Sequence, residues 1–167
     1  MKWFLIAVLS LFTFAVVIGV RFQHRDERQI QKVFRSVESA IGKSGEETLL
    51  VSHRKAATLA NLIAPNCRIV APEAKIDRIL KDGDSSLREI ILARQMLTSA
   101  RLSFNDLDIS VSNGSTALVS GDVSLLGHSS AWDFQTLEAR EIIARLQKGA
   151  DGKWRFSSVA VRPILVK

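Results

Sequence analysis

The chain contains no tyrosine, one cysteine, three prolines and three histidines. Without tyrosine, no phenol can serve a site as acid, base or hydrogen-bond donor. With Cys67 alone, an intramolecular disulfide is impossible. Lying in NCRIVAP between a proline and an apolar run, Cys67 reads as a small buried hydrophobe, with a reactive thiol as the sharper alternative. His24, His53 and His128 do not approach metal-ligand spacing, so no metal and no cofactor are expected. A glycine-rich phosphate loop, a nucleophile elbow, paired catalytic carboxylates, internal repeats and low-complexity segments are also missing.

Charge is scarce at the front. Residues 3–20, WFLIAVLSLFTFAVVIGV, are 18 positions without a charge. As a helix they would reach roughly 27 Å, close to the thickness of a bilayer core. Two readings stand open, an uncleaved anchor and a secretory signal. The length of the run and the want of an A-x-A-like cleavage site favour the anchor. The division expected is therefore residues 1–25 as transmembrane anchor or uncleaved signal segment, and 26–167 as the folded domain. Basic residues are denser after the run than before it, which by the positive-inside bias would hold the domain in the cytoplasm. The Met-Lys start followed at once by an apolar run is that of an exported bacterial protein. The expected location is the inner membrane, with the domain on the periplasmic side.

The formal charge of +6 does not describe a nucleic-acid footprint. Residues 1–25 carry Lys2, Arg21 and Arg25 and no acid, which leaves 20 basic against 17 acidic residues in the remainder. Those charges are interspersed in sign, so no nucleic-acid partner is expected. The basic residues just after the run are placed to meet anionic lipid heads, or are a plain juxtamembrane flank.

Periodicity divides the rest of the chain. Asp26 with Gln29 forms a capping-box pattern, and Ile30, Val33, Phe34, Val37 and Ile41 then make one helical stripe, ended by Gly42. Ser44 with Glu47 predicts a second helix to about Ile63, with Leu49, Leu50, Ala56, Ala57, Ala60 and Ile63 on its inner face. CRIVAP reads as a short strand and KIDRILKD as one or two helical turns. Ser86 with Glu89 predicts a helix to about Ser99. From Arg101 the period becomes 2: Leu107, Ile109 and Val111 alternate with polar residues, Asn113-Gly114 signals a tight turn, and Ala117, Val119, Val123 and Leu125 follow. Residues 132–148 and 153–165 read as a hairpin about Gly149–Gly152. The expected class is α+β: about three helices on a curved four-stranded antiparallel meander, cone-shaped, behind an N-terminal transmembrane helix.

The helix RQIQKVFRSVESAI, the strand DLDISV turning at NG into STALVSGDVSL, and the ending GKWRFSSVAV together resemble the nuclear transport factor 2-like superfamily, a cystatin-like α+β cone. The resemblance covers about residues 27–165, and the front is similar to that of small bacterial membrane-anchored members. It implies a helical front and a curved sheet closing as a cone. The superfamily hosts isomerases, polyketide cyclases, dehydratases, transport factors and secretion scaffolds, so the fold does not give a function. Its ketosteroid isomerase-like members use a carboxylate base with a tyrosine-containing oxyanion site, which this chain cannot build.

Candidate site residues follow from residue type and position. Asp77, Asp122 and Glu138 are available as bases, though no spacing selects one. His53, on the small-residue face of the second helix, reads as a general base, a cavity-lining group, or a hydrogen-bonded histidine of core or edge. Arg94 lies on or beside an apolar stripe, where it meets an acid, holds an anion, or snorkels outward. Arg140 and Glu138 alternate with apolar residues. Trp132, Phe134, Trp154 and Phe156 either pack on the helices or line a pocket. The ligand-binding set expected is His53, Arg94, Trp132, Phe134, Trp154 and Phe156, with no catalytic residue assigned. The leading expectation is a membrane-tethered, non-enzymatic binding or assembly module, with a lipid bilayer as partner through residues 3–20, a homodimer through the sheet, and a protein or small apolar ligand in the cone. A small lyase or isomerase with a carboxylate or histidine base is the alternative. A scaffold similar to the anchored inner-membrane component of type IV secretion systems is a third.

Overall fold

In the computed structural model, which describes residues 24–81, 83–129 and 137–163, the first predicted apolar stripe organises the core. Helix α1, described over 24–41, presses Ile30 and Phe34 against a sheet at 0% and 1% exposure. Val33 and Val37 flank them, half-buried. The apolar run 3–20 and the pair Trp132 and Phe134 lie outside the described residues. Among the described residues no helix is long and apolar enough to cross a membrane.

After α1 come β1 (Lys43–Ser44), α2 (Leu49–Asn61), β2 (Ile63–Ala71), a 3₁₀ turn (Pro72–Ala74), β3 (Ile76–Leu80) and α3 (Gly83–Met96). Four long strands complete the order: β4 (Leu97–Ser112), β5 (Thr116–Ser129), β6 (Leu137–Lys148) and β7 (Trp154–Pro163). The class is α+β, as expected. The four-stranded sheet is corrected: the strands form one seven-stranded mixed sheet in the order β1-β4-β5-β6-β7-β2-β3. β4 to β7 are the antiparallel meander read from the sequence. β2 joins parallel to β7, and β3 extends that side antiparallel to β2.

Two further boundaries move for local reasons. KIDRILKD is an edge strand, not helical turns. Lys75, left-handed at φ 53°, reverses the chain after the 3₁₀ turn, and Ile76–Leu80 then pair with Cys67–Ala71. A five-residue apolar run is too short for periodicity to settle. The second helix starts not at Ser44 but after Thr48, whose Oγ1 accepts from Val51 N at 3.4 Å. Gly45 at φ 69° breaks any earlier helical path, which frees Ser44 to pair with β4.

The sheet bends where its register slips. β4 slips between Leu97 and Ser99 and between Asn105 and Asp108, so that Leu102 and Phe104 share the core face with Leu107, Ile109 and Val111. Opposite these bulges β5 carries Gly121 and Gly127. A Cβ on Gly121 would stand 2.9 Å from the Asn105 carbonyl and 3.1 Å from that of Asp106, backbone atoms that cannot swing aside. Gly121→Ala should therefore cost about 1–3 kcal/mol of stability, read as a lowered denaturant midpoint. The β6–β7 hairpin is fastened at its turn. Arg155 donates to both carboxylate oxygens of Asp151, at 2.6 and 3.0 Å, and this holds the Asp151 carboxyl at about 2.

Candidate functional site

A further slip completes the interior wall. On β7 the register shifts opposite Arg145 and Leu146, leaving Ser157 as the extra residue. Phe156 before it, and Val159 and Val161 after it, thus all face inward. Between this wall and the helices lies a cavity of about 300 Å³. Its floor comes from the sheet: Ile63, Cys67 and Ile69 of β2, Leu102 and Phe104 of β4, Val123, Ile142 and the three β7 residues. Its roof comes from Val37 and Ile41 of α1, Leu59 of α2 with Leu62 just after it, and Ile90 of α3. Phe34 supports the floor from the side, with edge-to-face contacts at centroid distances of 4.9 Å to Phe104 and 5.3 Å to Phe156.

Every described lining residue is apolar except Cys67, and burial pushes that thiol up to about 11. At neutral pH it is a protonated thiol, not a nucleophile. A cavity of this kind solvates a neutral apolar molecule and penalises a charge heavily.

The residues singled out in the sequence fall in several places. Phe156 stands on the cavity wall. Trp154 is buried, and its Nε1 donates to Asp26 Oδ1 at 3.3 Å, while Lys148 Nζ donates to the same oxygen at 2.7 Å. Asp26 thereby locks the first described turn of α1 to the hairpin. His53 is exposed: the first turns of α2 project past the core, and Leu49 and Leu50 beside it are 81% and 70% exposed. The inner face read for Leu49 and Leu50 is corrected accordingly. Asp77 is exposed and paired with Arg68 at 2.7 Å. Asp122 takes the opposite strand parity from Val123, away from the cavity. Arg140 donates from Nε to Glu73 Oε2 at 2.8 Å. Trp132 and Phe134 lie outside the described residues, as does the side chain of Glu138.

Arg94 is 4% exposed and is turned from the cavity towards the end of α1. Its Nη1 donates to the carbonyls of Ala40 and Ile41, and its Nη2 to Glu47 Oε2 at 2.6 Å. Lys43 in turn donates to the carbonyls of Arg94 and Leu97. Two helix C-termini are thus capped by basic side chains from each other's neighbourhood. Lys55 holds the other Glu47 oxygen at 2.6 Å and also donates to the Gly42 carbonyl. Burial pushes the Glu47 carboxyl up, but its bonds to Lys55 and Arg94 outweigh that and leave it below the ordinary range.

Sequence reasoning missed the roles of Asp26 and Glu47, reading both as helix caps. Their partners lie 122 and 47 residues away, and no local pattern announces such pairs. Glu38 was missed as well: its Oε1 accepts from the backbone N–H of Phe104, a residue of the cavity wall, at 2.7 Å.

No protein-family profile matches the chain, and no curated protein sequence matches it. Solved structures do. The hexachlorocyclohexane dehydrochlorinase LinA-type3 from Novosphingobium barchaimii LL02 has a TM-score of 0.66 at 16% identity, over 87% of this chain and 91% of that one. ActVI-ORFA from Streptomyces coelicolor has a TM-score of 0.58 at 11% identity, over 84% and 98%. A protein from Catenulispora acidiphila has 0.61 at 15% identity, over 84% and 92%. Identities this low establish a shared fold and no shared activity. The chain has the nuclear transport factor 2-like fold that its sequence resembles.

Proposed function

We propose that the domain takes a small, uncharged, apolar molecule into the cavity between its helices and its curled sheet. The observation that carries this reading is the cavity itself: about 300 Å³, at the lower end of ligand-sized pockets, with apolar walls contributed by α1, α2, α3 and five strands. The test uses the neutral fluorophore N-phenyl-1-naphthylamine with the full chain. A saturable rise in emission is expected, and Val123→Phe, which fills the cavity, should remove the saturable part by tenfold or more. An absence of saturation, or equal binding by the variant, would overturn the reading.

A second reading is favoured by the comparisons. The dehydrochlorinase that shares this fold is named for elimination chemistry, which fits a small lyase or isomerase acting on a molecule held in the same cavity. Such chemistry needs a base at the wall, and the described wall offers only a protonated thiol. Chloride release from hexachlorocyclohexane separates the two. The binding reading expects none above buffer. Sustained release that disappears in Val123→Phe would replace it with the lyase.

We also propose that residues 3–20 moor the domain to the inner membrane, with the domain on the periplasmic side. The support for mooring is the run of 18 uncharged residues, 3–20.

A further inference from the structure

Helix α1 carries two faces of opposite character. Ile30 and Phe34 mark the buried one. On the other side Arg25, Arg28, Lys32 and Arg35 recur at spacings of three, four and three, and all are exposed. These spacings keep them within an arc of about 80°, diametrically away from the core. α2 lies alongside and adds Arg54 across an open groove that Lys32, Arg35, Ser39 and Lys55 also line, with no carboxylate among its described lining residues. Lys55 is neutralised by Glu47. No described carboxylate pairs with Arg25, Arg28, Lys32, Arg35 or Arg54. From residue 26 on, the chain has only three more basic than acidic residues, so a face of unpaired cations is a local concentration and not a reflection of bulk charge.

The shape of this face narrows its partner. From Arg25 to Arg35 the stripe runs for about 15 Å along the helix. A single phosphate could touch two of these side chains, whereas a plane of phosphates can face all of them. We propose that the exposed face of α1, with Arg54 of α2, docks on a bilayer surface rich in anionic phospholipid. The choice of a bilayer over other polyanions rests on the reading that residues 3–20 moor the chain, because that apolar run immediately precedes the stripe in the sequence. Each basic side chain near such a surface strengthens partition roughly fivefold, so the loss of three weakens docking roughly 100-fold.

The test places a reporter on the stripe. Ser39→Cys puts a thiol beside the groove, while native Cys67 is buried. The full chain is reconstituted into vesicles of phosphatidylcholine alone, or of phosphatidylcholine with phosphatidylglycerol. Alkylation by a water-soluble maleimide is followed by mass on the peptide containing residue 39. Alkylation should slow about tenfold in the anionic vesicles. The triple variant Lys32→Glu, Arg35→Glu, Arg54→Glu should abolish the slowing, and Arg145→Glu on the sheet should not. Equal rates in the two vesicles, or slowing that survives the triple variant, would overturn docking. So would equal slowing in neutral vesicles by inorganic phosphate or by duplex DNA, which would assign the face to a free anion or a nucleic acid. Mooring is read separately, by alkaline carbonate extraction of the neutral vesicles. A chain that extracts, yet is still protected by anionic vesicles, keeps docking and loses mooring; a chain that stays embedded without protection does the reverse.

Discussion

Arg94→Met is expected to destabilise the domain by about 3–5 kcal/mol, because it removes one partner of a buried ion pair and leaves the other in place. Glu47, whose side chain is 10% exposed, would keep only Lys55, and the carbonyls of Ala40 and Ile41 would lose their donor. Chemical denaturation of the variant beside the parent chain measures the loss. The double variant Arg94→Met, Glu47→Gln should recover part of it, since no uncompensated carboxylate then remains. The effect carries a pH signature. Glu47 titrates below its ordinary value of 4.5 in the folded chain, so its contribution is complete above that pH and is lost as the pH falls through the depressed folded value. The gap between parent and Arg94→Met should accordingly narrow in acid. The helix-capping share of the gap, which involves no titrating group, should persist. A gap independent of pH down to 3 would show that capping alone carries the effect.

Phe34→Ala is the second large change, with an expected loss of about 3–5 kcal/mol. Phe34 is 1% exposed and makes edge-to-face contacts with both Phe104 and Phe156. For a chain of this length the thermal midpoint should fall by roughly 6–20 °C. Both of its aromatic partners stand on the cavity wall, so the deletion also takes support from the floor. The affinity of N-phenyl-1-naphthylamine should change by several-fold in the variant at a temperature where it is still folded. An unchanged affinity would show that the void left by Phe34 stays closed off from the cavity.

The parts of the fold legible in the sequence were those with local causes. The α1 stripe, the Asn113-Gly114 turn and the alternation along β5 each follow from the residues that form them; both turn residues have positive φ, 52° and 61°. The parallel placement of β2 beside β7 had no such signature, because pairing between distant segments leaves no periodic trace in either one. The cavity was legible only as an aromatic tendency near the end of the chain. Its actual wall depends on the bulge at Ser157, which turns the parity of β7 and brings Val159 and Val161 inward after Phe156. His53 shows the converse limit. It follows a plausible apolar face, but at the first turns of α2 that face overhangs solvent, where Leu49 and Leu50 are exposed.

The parallel pairing of β2 with β7 has a consequence for how the molecule is made. Ile63 sits opposite Phe156, and Ile69 opposite Val159, so a strand from the first half of the polypeptide must wait for the last one before its open edge is satisfied. Contacts of such long sequence separation slow folding and leave hydrophobic surface bare in the interval. On a translating ribosome the helices and β2 would emerge with nothing to close over. The cavity is therefore the final piece to assemble, and a nascent chain halted before β7 lacks the strand that supplies Phe156, Val159 and Val161 to its wall.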